Sequence, residues 1–178
     1  MNILVVVCEK VEAEKIEEML RRIALISGEE QDASEEYCCK VADAEGGMAG
    51  YELIRRECPD LVIADVELPE LSGLDMLEKI RREQSNVKVI FLAEREDFGQ
   101  AKRAIDLDVE GYLVKPVRED ELRQAVRRAD EKLKKEHMTE AVLSIENIFM
   151  SCLNGQISPD PFFDRMTKQR FGFTIEEP

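Results

Sequence analysis

The sequence predicts an α/β fold, a doubly wound parallel sheet built from five strand–helix units. Short, uninterrupted apolar runs alternate with longer segments whose apolar residues recur at helical spacing. Apolar runs that lack polar alternation are typical of parallel strands buried on both faces. With 178 residues, the chain is long enough for one such domain and a further element.

The predicted strands and helices follow one another in strict alternation. The strands are residues 3–7, 37–42, 61–64, 87–92 and 112–114. The first four helices are residues 11–26, 48–58, 74–82 and 98–107. A fifth helix opens with Glu119 and Asp120, whose charges are favourable in the first turn of a helix. Right-handed crossovers between parallel strands then place helices on both faces of the sheet.

The fifth helix is predicted to extend well beyond the sheet. Its apolar stripe runs from Leu122 to Leu133 and resumes, after a polar break near His137, as far as Phe149. Residues 134–154 have no sheet left to cover, so we interpret them as a linker or signalling helix that dimerises. Residues 155–178, in which a short helix is predicted from Ser158, are interpreted as the start of a following domain or a tail.

Charge and composition exclude several classes of function. The chain has a net charge of −14, and residues 1–117 carry 15 basic and 27 acidic residues, a net charge of −12. Binding to nucleic acid needs clustered Lys and Arg, so these residues are not expected to contact DNA themselves. Five cysteines without metal-ligand spacing indicate free thiols, mostly in the core, in a reducing cytosol. No segment is typical of a signal peptide or a membrane span, and we expect a cytoplasmic protein.

Three charged residues follow predicted strands and are expected at one edge of the sheet. Glu9 follows the first strand, Asp65 the third and Lys115 the fifth. In open parallel sheets, ligands bind outside the carboxyl ends of the strands. Two carboxylates at such an edge favour a divalent cation such as Mg²⁺, and a lysine can neutralise an anion that joins them. The set is typical of a carboxylate that accepts a phosphoryl group.

Two motifs at this edge resemble those of the receiver domains of two-component response regulators. They are DVELP at residues 65–69, followed by Gly73, and GYLVKP at residues 111–116. The stretch at residues 96–105 is most similar to the receivers of AraC-type transcriptional regulators. The resemblance covers about residues 2–133 and implies a flavodoxin-like (βα)5 fold with an extended C-terminal helix, residues 1–133 being the receiver domain.

The resemblance also implies a role for each site residue. Asp65 would accept a phosphoryl group from a sensor histidine kinase, with Mg²⁺ held by Glu9, Asp65 and the backbone carbonyl of Glu67. Lys115, preceding a cis bond to Pro116, would lie over the phosphoryl group.

Tyr112 would be the aromatic switch that turns inward on activation. The expected output is a change in a homodimer contact through the fourth helix, fifth strand and fifth helix. DNA binding for transcription regulation would lie in a domain beyond Pro178. Autodephosphorylation would be slow at most, so the chain is not interpreted as an enzyme.

Two positions depart from the family pattern. The family usually has two acids after the first strand, but Cys8 occupies the first of these positions, ahead of Glu9, and is interpreted as a small buried filler. The next acid is Glu12, one helical turn further on. Ala93 stands after the fourth strand, where the family has a Ser or Thr. The missing hydroxyl removes a hydrogen bond to a charged group, worth about 1.5–3 kcal/mol, and separates Tyr112 from the phosphoryl site.

These departures leave an alternative open. A pseudo-receiver would keep the fold and Asp65, but would act as a dimerisation or interaction module without phosphorylation. A phosphatase of the haloacid-dehalogenase type, with Asp65 as the nucleophile and Glu67 as the acid, is disfavoured. That family places its nucleophile after the first strand of the domain, with an Asp two residues further on.

Overall fold

The structure is a computed structural model that describes residues 1–27, 38–41, 46–83 and 85–153. The chain divides into two compact units, Met1–Leu133 and Lys134–Pro178. The sheet lies in the first unit. The short helix predicted from Ser158, and the whole of segment 155–178, lie outside the described residues, so the assignment of residues 134–178 stays a prediction.

A five-stranded parallel sheet confirms the predicted fold class. Its strands are β1 (Asn2–Val6), β2 (Cys38–Val41), β3 (Leu61–Asp65), β4 (Lys88–Ala93) and β5 (Gly111–Val114). The strand order is β2-β1-β3-β4-β5. The order reverses direction between β1 and β3, and the carboxyl ends of these two strands form the switch point at which such sheets bind ligands.

The helices also agree with the predicted order. They are α1 (Lys10–Ser27), α2 (Gly47–Glu57), α3 (Gly73–Arg82), α4 (Phe98–Asp106) and α5 (Glu119–Leu153). The polar stretch near His137 interrupts the apolar stripe but not the helix, since α5 continues through it. In the part of the chain that the structure describes, no helix combines the length and apolar character needed to cross a membrane.

Apolar side chains fill both faces of the sheet. Odd and even residues of the central strands point to opposite faces, as the period of a strand requires: Ile90 and Leu92 face α1 and α5, whereas Val89 and Phe91 face α2 and α3. Phe91 is completely buried. The two cores hold the central strands rigidly, and this fixes the positions of the residues that follow each strand.

Candidate functional site

The site is formed where β1, β3, β4 and β5 end. Asp65 is the last residue of β3, and Cys8, Glu94 and Lys115 follow closely after β1, β4 and β5. The register pairs Val6 with Ala64, Asp65 with Leu92, and Ala93 with Val114, so these strand ends are adjacent. The backbone amide of Lys115 donates to the carbonyl of Ala93 at 2.8 Å, which extends the pairing of β4 and β5 into the site.

Asp65 has two carboxylate oxygens in different environments. Oδ2 accepts a hydrogen bond of 2.9 Å from the backbone amide of Cys8. Oδ1 lies 2.8 Å from Nζ of Lys115 in an ion pair, but it is buried and accepts no hydrogen bond. The residue as a whole is only 4% exposed. A buried carboxylate oxygen without a hydrogen bond is costly, so a further cation or a bond to another group would stabilise it.

Lys115 is in contact with three carboxylates. Besides Asp65, its ammonium group donates to Oε2 of Glu12 at 2.5 Å and to Oε1 of Glu94 at 2.8 Å. Burial lowers the pKa of Lys115, but the contacts of its ammonium group with the carboxylates of Asp65, Glu12 and Glu94 outweigh burial and raise the pKa above its ordinary value. Lys115 is therefore a fixed positive charge at neutral pH, and its peptide bond to Pro116 is cis.

Glu12 and Glu94 enter the site although sequence reasoning assigned a role to neither. Glu12 lies in the first turn of α1, and Glu94 directly follows β4. Burial and the negative charge of Asp65 raise the pKa of Glu12, and the ammonium of Lys115 only partly opposes them. Two features of the sequence could have indicated their roles: Glu12 is the next acid after Glu9, and Glu94 follows the end of a strand.

The structure leaves the predicted metal ligand Glu9 exposed. Its backbone carbonyl accepts hydrogen bonds of 3.0 Å from the amides of Glu12 and Ala13, so Glu9 begins the first turn of α1. Among residues 1–27, 38–41, 46–83 and 85–153, no group of three or more His, Cys, Asp or Glu side chains is placed to hold a metal ion. The set that the resemblance implies contains only two such side chains, Glu9 and Asp65, together with a backbone carbonyl, so it stays a prediction.

The oxygen donors at the site still fit a hydrated magnesium ion. The carbonyl of Glu67 lies 3.5 Å from Sγ of Cys8, and the backbone amide of Cys8 contacts Asp65. Cys8 therefore lies next to two of the implied ligands, Asp65 and the carbonyl of Glu67. Mg²⁺ keeps several waters and needs only one or two carboxylates from the protein. The buried Oδ1 of Asp65, which lacks a hydrogen bond, is a suitable donor for such an ion.

The prediction that the cysteines mostly fill the core is wrong for the two that can be assessed. Cys8 and Cys58 are both free and exposed. Cys8 follows Val7, the last buried residue of its segment, and therefore projects from the edge of the sheet rather than into it. Burial, followed by the charge of Asp65, raises the pKa of the Cys8 thiol, which keeps it protonated and opposes a reactive thiolate.

Gly73 maintains the close packing of the loop between β3 and α3. Its amide donates to the carbonyl of Val66 at 2.9 Å. A Cβ atom at this position would lie 2.2 Å from the carbonyl oxygen of Asp65 and 3.0 Å from Phe91. Only glycine permits this approach, which explains why the residue accompanies the DVELP motif.

Tyr112 is linked to the site by a side chain that sequence reasoning missed. Ala93 is buried and provides no hydroxyl. Instead, the hydroxyl of Tyr112 donates to Oε1 of Gln100 at 3.1 Å, and Nε2 of Gln100 donates to Oε1 of Glu67 at 3.5 Å. Gln100 lies in the first turn of α4, so this chain of contacts connects β5, α4 and the loop that follows Asp65.

A comparison with protein families identifies the family of this chain. The profile described as the response regulator receiver domain matches residues 24–127, which is more than half of the chain. The chain belongs to this family. The resemblance inferred from DVELP and GYLVKP is therefore confirmed, and receiver domains are signalling modules.

Curated relatives of the receiver domain include two proteins named as regulators of transcription. The transcriptional activator protein ExaE of Pseudomonas putida is 32% identical over 88 residues, which are 49% of this chain and 41% of ExaE. The uncharacterized transcriptional regulatory protein YesN of Bacillus subtilis is 30% identical over 96 residues, 54% of this chain and 26% of YesN. The receiver domain thus spans less than half the length of these relatives.

Solved structures share the fold of this receiver domain. A response regulator receiver domain protein from Clostridium thermocellum superposes with a TM-score of 0.62 at 26% identity, covering 75% of this chain and 96% of that one. A signal receiver domain from Vibrio parahaemolyticus gives the same TM-score at 24% identity, covering 78% and 96%. These likenesses confirm the flavodoxin-like fold class.

Proposed function

We propose that this receiver domain accepts a phosphoryl group on Asp65 from a sensor histidine kinase and thereby controls an output domain. The observation that carries the proposal is the environment of Asp65. Its Oδ2 is fixed by the amide of Cys8, whereas its buried Oδ1 has no hydrogen bond and faces the ammonium group of Lys115. A nucleophilic carboxylate needs a rigid position, one free oxygen and a nearby positive charge.

The chemistry is a transfer between two side chains. A carboxylate oxygen of Asp65 attacks the phosphorus of a phosphohistidine, and the bond from phosphorus to nitrogen breaks with its electron pair returning to the imidazole. The ammonium of Lys115 faces the charge that develops on the phosphoryl oxygens. Because this charge is fixed by three carboxylates, little reorganisation is needed as the reaction proceeds.

We propose that Mg²⁺ is the cofactor. The carboxylate of Asp65 and the backbone carbonyl of Glu67 would hold it, with Glu9 the carboxylate that the resemblance adds. The ion would supply positive charge that offsets the negative charge of the phosphoryl oxygens. The need for it follows from charge: Glu12, Asp65 and Glu94 share the single ammonium of Lys115, so an incoming anion meets a net negative site.

The partners follow from the same proposal. The kinase supplies the phosphoryl group, a homodimer would form through α4, β5 and α5, and residues 134–154 would act as the signalling helix. ExaE and YesN are named as transcription regulators, which supports a DNA-binding output domain beyond Pro178. Loss of the phosphoryl group by autodephosphorylation would be slow at most.

The test is phosphorylation by a small phosphodonor such as phosphoramidate, followed by intact-mass spectrometry. We expect the mass of one phosphoryl group to appear only with Mg²⁺, in the wild type and in the control Asp106→Asn, and not in Asp65→Asn. Labelling that persists in Asp65→Asn would place the acceptor elsewhere. If the wild type is not labelled, the pseudo-receiver alternative is favoured. The similarity to ExaE and YesN gives no support to that alternative over the main proposal.

A further inference from the structure

The site holds more negative charge than the two carboxylates predicted for its edge, Glu9 and Asp65. Glu12 reaches it from the first turn of α1, and its Oε2 lies within hydrogen-bonding distance of the same ammonium nitrogen as Oδ1 of Asp65. Both contacts are short, 2.5 and 2.8 Å. One ammonium group therefore joins a residue of helix α1 to the residue proposed as the phosphoacceptor.

The partners of Lys115 differ strongly in exposure. The side chain of Glu12 is 19% exposed and that of Glu94 is 63% exposed. Ion pairs in contact with bulk water contribute little, because water and salt screen them and the side chains lose entropy. Asp65 itself is the least exposed partner, at 5%, and Glu12 is the less exposed of the two that hold the ammonium group over it, so its pair with Lys115 is screened less than that of Glu94.

Cys8 occupies the position at which an acid beside Asp65 would pair with Lys115. Its thiol is directed to the carbonyl of Glu67 at 3.5 Å, and only its backbone amide contacts Asp65. The strand end next to Asp65 therefore provides no anion for Lys115.

We infer that Glu12 is the positioning residue of Lys115, holding the ammonium group over Asp65 from one helical turn away in place of an acid at position 8. This inference rests on the proposed function for its catalytic meaning. Removal of Glu12 leaves the ammonium group with Asp65 and the exposed Glu94 alone. The side chain of Lys115 then has greater freedom, although neither Lys115 nor Asp65 has been changed.

The experiment measures how fast Lys115 reacts with an amine-directed reagent such as acetic anhydride, by peptide mass spectrometry, with the exposed Lys102 as an internal reference. It needs neither metal nor phosphoryl donor. We expect Glu12→Gln to raise the relative rate at Lys115 about five- to tenfold, in keeping with the loss of a partly buried ion pair. The matched control Glu94→Gln removes a slightly longer contact, 2.8 Å against 2.5 Å, with a more exposed partner. It should change the rate less than twofold, which corresponds to about 0.4 kcal/mol.

A rescue variant separates positioning from a general loss of packing. An aspartate at position 8 would lie beside Asp65 at the strand end, so Cys8→Asp combined with Glu12→Gln should return the rate at Lys115 to near the wild-type value. Equal rates in Glu12→Gln and Glu94→Gln would overturn the inference. A double variant as reactive as Glu12→Gln alone would overturn it as well.

Phosphorylation of the same variants distinguishes this inference from the proposed function. With phosphoramidate and Mg²⁺, Glu12→Gln should react about tenfold more slowly than the wild type and the double variant should recover. If the wild type is not phosphorylated while the reactivity of Lys115 follows the expected pattern, the proposed function fails and the positioning role stands. If the wild type is phosphorylated and Glu12→Gln is phosphorylated equally fast, the positioning role of Glu12 fails and the proposed function stands.

Discussion

Replacement of Gly73 by alanine tests whether the loop after β3 fixes the position of Asp65. The new Cβ would lie 2.2 Å from the carbonyl oxygen of Asp65 itself and 3.0 Å from the ring of Phe91. Neither neighbour yields easily, because one is backbone at the end of a buried strand and the other is a completely buried ring. Overpacking of this kind costs about 1–3 kcal/mol, and a clash with backbone places Gly73→Ala at the upper end or above.

The assay is urea denaturation followed by circular dichroism, with phosphorylation of Asp65 measured on the same samples. Gly99→Ala is the matched control, since its Cβ would meet only Oδ1 of Asp97 at 3.2 Å, within helix α4. Alanine in a helix is favoured over glycine by about 0.5–1 kcal/mol, so this variant should be as stable as the wild type or more so. If Gly73→Ala matched the wild type in both stability and phosphorylation, the packing of this loop would not be what fixes Asp65.

Three further predictions follow from contacts on either side of the sheet. Phe91→Ala should lower the free energy of unfolding by about 3–5 kcal/mol in urea titrations, because a completely buried ring is lost; a loss below about 1 kcal/mol would contradict this. Gln100→Leu should leave phosphorylation intact but abolish the response of the Tyr112 ring signals in NMR spectra to a phosphoryl mimic, and an unchanged response would exclude this link. The hydrogen bond from Arg103, and then that from Ser72, lowers the pKa of Asp75. Its contribution, under about 1 kcal/mol for so exposed a pair, is present above the ordinary Asp pKa of about 3.9 and lost as the pH falls below it. The difference in stability between the wild type and Asp75→Asn should therefore vanish in acid, and a difference that grew there would show the opposite sign.

The order of strands and helices was predictable because the two element types have different apolar periods. Segments such as 61–64 are continuously apolar, whereas 11–26 places apolar residues on one helical face. The ends of the elements moved by at most one residue, since these depend on caps and loop contacts rather than on period. The hydroxyl of Ser72, for example, accepts from the amide of Asp75 and fixes the start of α3.

Only part of the site was predictable from the sequence, namely side chains that follow the ends of strands. Asp65 and Lys115 follow parallel strands, so their meeting at one edge is a consequence of topology. Glu12 and Gln100 lie on helices, and their reach into the site depends on how α1 and α4 rest on the sheet, which no spacing reveals. Cys8 was misjudged for a similar reason, since its exposure depends on where the buried part of the first segment ends.

The most direct test of the account is a titration of the wild type and Asp65→Asn with beryllofluoride in the presence of Mg²⁺, followed by calorimetry and equilibrium sedimentation. We expect saturable binding to the wild type, with one mimic per chain and a shift toward the dimer, and no binding to Asp65→Asn. Equal behaviour of the two proteins, or binding that does not require Mg²⁺, would contradict the claim that Asp65 is the centre of a phosphoacceptor site.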